Sequence, residues 1–249
     1  MKLSYLLPAL FTFSLGTASA QQTWTVNALG GPGVDFPNLP AAVVAASSGD
    51  TILVQSAIGQ GAVGFTTSKG LTIVGVGGDV PLFMSTPIVV QGLAAGDSFR
   101  MVGFHMPQEG ALDIQITDCL GQVHLEKLTA QETPAFPNLT PSIEVTNSAS
   151  VSLREVTTFG VPAVKVSSST LSLVQCQLGV TGIGLGGGAA IQGLASTIQV
   201  TEPRFHTGMG ATESIFVDAC NLVIAGDGLG YINNIGGGDV ITSAGGAIT

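Results

Sequence analysis

A short apolar–any–apolar triplet recurs seven times along this chain, and its phase constrains the fold more than any other feature. It appears as Leu71-Thr72-Ile73, Phe99-Arg100-Met101 and Val123-His124-Leu125. It returns as Val151-Ser152-Leu153, Leu171-Ser172-Leu173, Ile198-Gln199-Val200 and Leu222-Val223-Ile224. Successive copies are 28, 24, 28, 20, 27 and 24 residues apart. A second triplet precedes several of them: Ile114-Gln115-Ile116, Ile143-Glu144-Val145, Val164-Lys165-Val166 and Ile215-Phe216-Val217. Alternation at period two puts the apolar members on one face of a strand. A strand this short cannot bury that face alone. Stacking the same strand from successive coils, about 4.8 Å apart, pairs the backbone groups and builds a continuous core. Unequal coil lengths go into Ser-, Asn-, Asp- and Gly-rich turns. The expected fold is all-β, a parallel β-helix with at least two short strands per coil. A β-sandwich is the rival, but the repeating phase and the lack of Asn-Gly hairpin signals oppose it.

A solenoid of this kind exposes core and strand edge at its end, so it needs a cap. The stretch "DFPNLPAAVVAASSGDTILV", Asp35 to Val54, supplies one. Leu39, Val43 and Ala46 share one helical face. Asn38 is placed as N-cap and Pro40 in the first turn, where proline is tolerated. Ser47 to Asp50 is expected to end the helix, with Gly49 in a left-handed cap. The capping helix is thus expected near 38–48, and Thr51 to Val54 begins the first coil.

This stretch resembles the start of right-handed parallel β-helix proteins of the pectate-lyase-like superfamily. Their "F-x-x-L-x-x-A-x-x-A-x-x-G-D-x-I-x-V" segment is matched by Phe36, Leu39, Ala42, Ala45, Gly49, Asp50, Ile52 and Val54. "FRMVGFHM" and "VHLEKLTAQ" are similar to the family's coil sequences. The chain departs from the pattern at "QSAIGQGAVGF", where the family often has a "P-G-x-Y" turn. The resemblance implies a right-handed solenoid. It leaves the activity open among polysaccharide lyases, hydrolases, isomerases, adhesins and non-catalytic proteins.

Residues 1–20 read as a signal peptide: Lys2, an apolar run, and Ala18-Ser19-Ala20 at the cleavage point. The mature chain, 21–249, is then one exported β-helix domain, secreted or periplasmic, with no membrane span. Without Lys2 it holds six basic and sixteen acidic residues, a formal charge of −10. That opposes nucleic acid and anionic membrane as partners. Charged residues make up 9% of the chain, against about 25% in ordinary domains. Surface polarity must therefore come from Ser, Thr, Gln and Gly. Cys119, Cys176 and Cys220 show no metal spacing and read as buried, unpaired thiols. The ending "GGDVITSAGGAIT", with Val240, Ile241 and Ile248, carries no polar or helical lid. The expectation is a longer chain, or self-association through this C-terminal coil.

Aligned coils turn the sequence into surface columns. The outward residue between core members reads Thr72, Arg100, His124, Ser152, Ser172, Gln199, Val223. The next outward position reads Val74, Val102, Glu126, Arg154, Val174, Thr201, Ala225. Arg100, His124, Glu126 and Arg154 therefore form the one candidate site. For β-elimination from a uronate, Arg100 or Arg154 can neutralise the carboxylate and His124 can remove the neighbouring proton, with Glu126 and Arg154 contacting substrate. The alternative is ladder pairing: Glu126 faces Arg154, Lys127 faces Glu155, and Glu144 faces Lys165. Two functions follow. One is a surface, matrix or carbohydrate-contacting module without a catalytic centre. The other is a polysaccharide lyase or hydrolase acting on an acidic glycan.

No cofactor is expected from the residues. Calcium enters through the resemblance, with Asp113, Asp118 and Glu144 as the carboxylates to consider. His105 and His206 have no partner in any column and are expected at the surface or in turns. Asn138–Thr140 forms a glycosylation sequon. The glycine run at Gly182–Gly188 precedes no helix and is not a phosphate loop.

Overall fold

The computed structural model describes residues 20–55, 64–82, 86–106, 114–130, 141–180, 189–207, 213–225, 232–234, 239–243 and 246–248. Residues 1–19, within the expected signal peptide, Asp113, the sequon at 138–140 and the glycine run at 182–188 lie outside them. The described residues form one helix and 23 strands, all paired in parallel. The chain is a parallel β-helix. No helix among the described residues is long and apolar enough to cross a membrane.

One sheet has a path of ten strands in chain order: Thr23–Val26, Thr51–Val54, Thr72–Gly75, Ser98–Met106, Gln122–Ala130, Ser150–Arg154, Thr170–Val174, Thr197–Thr201, Cys220–Ala225 and Gly246–Ile248. A second sheet stacks eight: Phe65–Thr67, Ile88–Gln91, Ile114–Thr117, Ile143–Thr146, Val164–Ser167, Ile191–Leu194, Glu213–Asp218 and Asp239–Ser243. A third column of strands was not expected. Thr157–Phe159, Gln177–Val180, Arg204–Thr207 and Ile232–Asn234 stack together, and Val80–Pro81 pairs with the tail of Ser98–Met106. These strands are too short to show a period in the sequence.

Inward side chains form apolar stacks along the axis. Ile52, Ile73, Met101, Leu125, Leu153, Leu173 and Val200 lie in register, each at most 1% exposed. Trp24 stands opposite Ile52 at the head of this stack, with its ring 5.4 Å from Phe36 in an edge-to-face contact.

The predicted cap is present, but it ends differently. The helix, α1, spans Leu39–Ala45. Asn38 Oδ1 accepts from the Ala41 amide at 2.9 Å, and Leu39, Ala42 and Val43 are buried. Gly49 does take a positive φ, 95°, but in the turn that follows: the C-cap is Ala46, in an extended conformation. Lys69, from the next coil, does the capping instead. Its ammonium donates to the carbonyls of Val43, Val44 and Ala46 at 3.0, 2.8 and 2.6 Å. The positive charge meets the negative end of the helix dipole. Asp50 is 3% exposed and accepts from the amides of Gln22 and Ser47 and from the Trp24 indole, at 2.8, 2.9 and 3.0 Å. Burial alone would push its carboxyl up. The Ser47 and Gln22 amides, the indole and the Lys69 charge outweigh this and hold it below its ordinary value. The outermost strand, Thr23–Val26, is also blocked from further pairing. The Thr25 amide donates to Asp35 Oδ2 at 2.7 Å, and the Asp35 and Phe36 amides donate back to the Thr25 carbonyl.

Two corners carry the repeat from sheet to sheet. Lys127, Glu155, Gln175 and Glu202 turn out of the first sheet with φ between 49° and 53°, and Gly103 holds the same place with φ 81°. At the corner entering that sheet, Cys119, Ser148, Ser169, Ser196 and Cys220 form a buried polar ladder. The amide of each of the first four donates to the side chain of the next, at 2.9 to 3.4 Å. Each side chain donates to the carbonyl two residues before it. The cysteines are buried and free, as expected, but Cys119 and Cys220 act as ladder members rather than as simple apolar fillers. Burial pushes the Cys176 thiol up to about 11.

Candidate functional site

Both predicted surface columns are reproduced rung for rung. Thr72, Arg100, His124, Ser152, Ser172, Gln199 and Val223 lie in register on the outward face of the first sheet. Val102 stands opposite Glu126, and Glu126 opposite Arg154. The period-two strand brings every second residue outward, so residues 24 and 28 apart in sequence become neighbours.

The ionic contacts differ from the expected ladder. Glu126 does not bond to Arg154 across the strands. It reaches diagonally, and Arg100 Nη2 donates to Glu126 Oε2 at 2.7 Å. Diagonal neighbours lie within reach of long side chains, and the small Val102 leaves the path open. Arg154 turns instead to Glu155, the next residue, with Nε 3.4 Å from Oε1. Glu144 and Lys165 pair straight across, 2.9 Å apart, as the register predicts. Arg100 is therefore accounted for by structure, while Arg154 is only loosely held.

Glu126 is the centre of the site. The hydrogen bond from Arg100 pulls its carboxyl below the ordinary range. Burial opposes this, and the charges of Arg100, Lys127 and Arg154 add to it. Glu126 thus sits among three cations, one of which, Arg154, also meets Glu155. Lys127 turns the corner directly after Glu126 and is exposed.

His124 lies half-buried between the strands of Arg100 and Ser152. Its Nδ1 is 2.8 Å from Ser152 Oγ, and its Nε2 is 3.4 Å from Gln122 Oε1. An amide oxygen only accepts, so Nε2 carries the proton and Nδ1 accepts from the Ser152 hydroxyl. Burial, then the charge of Arg100, lowers its pKa below 6.5, and Glu126 opposes this in part. The ring is neutral at pH 7.

Other candidates are dispersed. His105 lies in the strand Ser98–Met106, with Nδ1 3.9 Å from Asp79 Oδ1, so it does have a neighbour. The backbone of His206 lies in Arg204–Thr207, and its side chain is outside those described. Asp118 accepts from Asn147 Nδ2 at 2.6 Å and Glu144 from Lys165, so these carboxylates face separate partners. Among the described residues no group of three or more His, Cys, Asp or Glu converges on a point. An open groove of about 470 Å³ runs along the ladder corner, lined by small residues such as Ser168, Ala195 and Ala219. Its buried serines spend their hydroxyls within the ladder.

The class defined by these features is a parallel β-helix with a helical N-terminal cap and a mixed-charge patch on an open sheet face. No protein-family model matches the chain, and neither a curated protein nor a solved structure matches it.

Proposed function

We propose that this is an exported β-helix module of the pectate-lyase-like superfamily that contacts acidic polysaccharide through the first-sheet face, without cleaving it. Export is supported by the leader-like residues 1–20. Superfamily membership is supported by Asp35 to Val54, whose Leu39, Ala42, Asp50, Ile52 and Val54 fill buried positions of a helical cap and first strand.

The observation that carries the reading is the clustering of positive charge. Outside the leader, this acidic chain has six basic residues. Lys69 is consumed by the helix cap and Lys165 by Glu144, and Arg204 stands exposed in the strand Arg204–Thr207. Arg100, Lys127 and Arg154 gather on three successive coils around the carboxylate of Glu126, with Glu155 beside Arg154. Such a stripe suits a polymer that carries spaced carboxylates or sulfates. The rungs Ser152, Ser172 and Gln199 continue it along the axis with neutral hydrogen-bonding groups, as sugar hydroxyls require. The strand spacing repeats these groups about every 4.8 Å, which suits a linear ligand.

Affinity electrophoresis in polygalacturonate, against a neutral glucan, tests this. The uronate polymer should retard the protein, less so as salt rises. Lys127→Ala and Arg154→Ala should each weaken retardation about twofold to fivefold. Equal retardation by the neutral glucan, none by either, or tighter binding of duplex DNA would overturn the reading.

One observation favours uronate β-elimination as a second reading. His124 is held in its basic form beside Arg100, a base next to a cation. Ultraviolet absorbance appearing on incubation with a uronate polymer, and lost in His124→Ala, would select the enzyme.

A further inference from the structure

We propose that His124 gates this face by protonation, so that the acidic polymer is bound in mild acid and released near neutrality; this rests on the anionic-polymer reading above. The argument starts from what surrounds the ring. Arg100 faces it from one neighbouring strand, Ser152 and Arg154 from the other, and Gln122, Glu126 and Lys127 belong to its own strand and corner. In the neutral ring, Nδ1 is an acceptor, and the Ser152 hydroxyl spends its only proton on it at 2.8 Å. The patch then holds Arg100, Lys127 and Arg154 against Glu126 and Glu155, a margin of one positive charge.

Protonation changes two things at once. The imidazolium adds a second net positive charge at the middle of the stripe. It also reverses the bond to Ser152: Nδ1–H now donates, and the serine oxygen accepts. The Ser152 proton is released to point outward, where it can donate to a sulfate, carboxylate or sugar oxygen. The free protein resists this proton, because the ring is partly desolvated and stands beside Arg100. A bound anion supplies the missing counter-charge and raises the proton affinity. By linkage, proton and polymer then strengthen each other's binding.

The test uses the full chain after leader removal and sulfated dextran, whose charge does not titrate in this range. Binding is measured from pH 7.5 to 5.0 at constant ionic strength. The wild type should tighten about threefold to fivefold as the pH falls. His124→Gln should give a flat profile. His124→Lys, with a fixed charge, should bind at pH 7.5 as the wild type does in acid. His105→Gln should keep the wild-type profile. Melting curves at both ends of the range check that each variant is folded. A flat wild-type profile with measurable binding would overturn the gate and leave the polymer reading standing. A profile that persists in His124→Gln would also overturn the gate. No binding of sulfated dextran or polygalacturonate at any pH would overturn both.

Discussion

The capping network and the patch on the first sheet are both built from charged residues, yet they spend those charges differently. At the cap, Asp50 is buried and receives three hydrogen bonds, and the Lys69 ammonium gives three. Every bonding position that matters is filled from within the chain. On the sheet face, the Arg100 and Arg154 side chains remain 46% and 60% exposed, and three cations surround Glu126, with Glu155 as the second carboxylate. The cap is a closed account of charge; the patch has a surplus. A surplus held on a rigid, repeating surface is available to a ligand, whereas a closed network is available only to the fold.

The comparison breaks most visibly at Asp50. Asp50→Ala would leave two buried amides and an indole N–H without an acceptor. Hydrogen bonds to charged groups contribute roughly 1.5–3 kcal/mol each, part of which water recovers, so a loss of about 3 kcal/mol is expected. The chain has a single tryptophan, Trp24, so its emission reports the cap directly. Urea unfolding followed by fluorescence should shift further than unfolding followed by circular dichroism, because a solenoid loses its end before its middle. Acid should reproduce the effect in the wild type. The folded carboxyl titrates below its ordinary 3.8, so its contribution is fully present above that value and is lost as the pH falls through the lower folded one. A cap signal unchanged in Asp50→Ala would show that the network is incidental.

Lys69→Met comes next. Methionine keeps most of the apolar stem and removes the charge and three donors. The expected cost is about 1.5 kcal/mol, since water can reach part of the freed helix end. Neither cap variant should alter polymer binding at temperatures where it is folded. A matching loss of affinity would join the two regions that the comparison separates.

Much of this was legible in the sequence because period two is insensitive to coil length. Arg100, His124 and Ser152 could be placed on one column from their flanking apolar residues alone. What could not be read were contacts set by side-chain reach. Register puts Glu126 opposite Arg154, but Arg100 is long enough to take it diagonally past Val102. Lys69 gave no signal as a helix cap, because it lies 23 residues beyond the carbonyl of Ala46 that it binds. The polar ladder was hidden for a related reason. Cys119 and Cys220 share a phase in the sequence, but Ser148, Ser169 and Ser196 look like ordinary turn residues, and only stacking shows that they occupy the same position.

The smallest effect on stability should come with the most informative change in binding. Glu126→Gln removes the one negative charge at the centre of the patch and keeps a side chain that can still accept from Arg100. An exposed ion pair contributes about 0.2–1 kcal/mol, so stability should fall by less than about 1 kcal/mol, and an Arg100/Glu126 double-mutant cycle should give coupling in that range. If the pair existed mainly to hold adjacent coils together, this variant would be weaker and otherwise unchanged. If Glu126 is instead an internal counter-ion that an acidic polymer must share, its removal leaves three cations against Glu155 alone. Affinity for polygalacturonate should then rise about threefold. Weaker binding in Glu126→Gln, with an intact fold, would mean that this carboxylate itself contacts the ligand. The patch would then be a site for hydroxyl or cationic groups rather than for acidic ones.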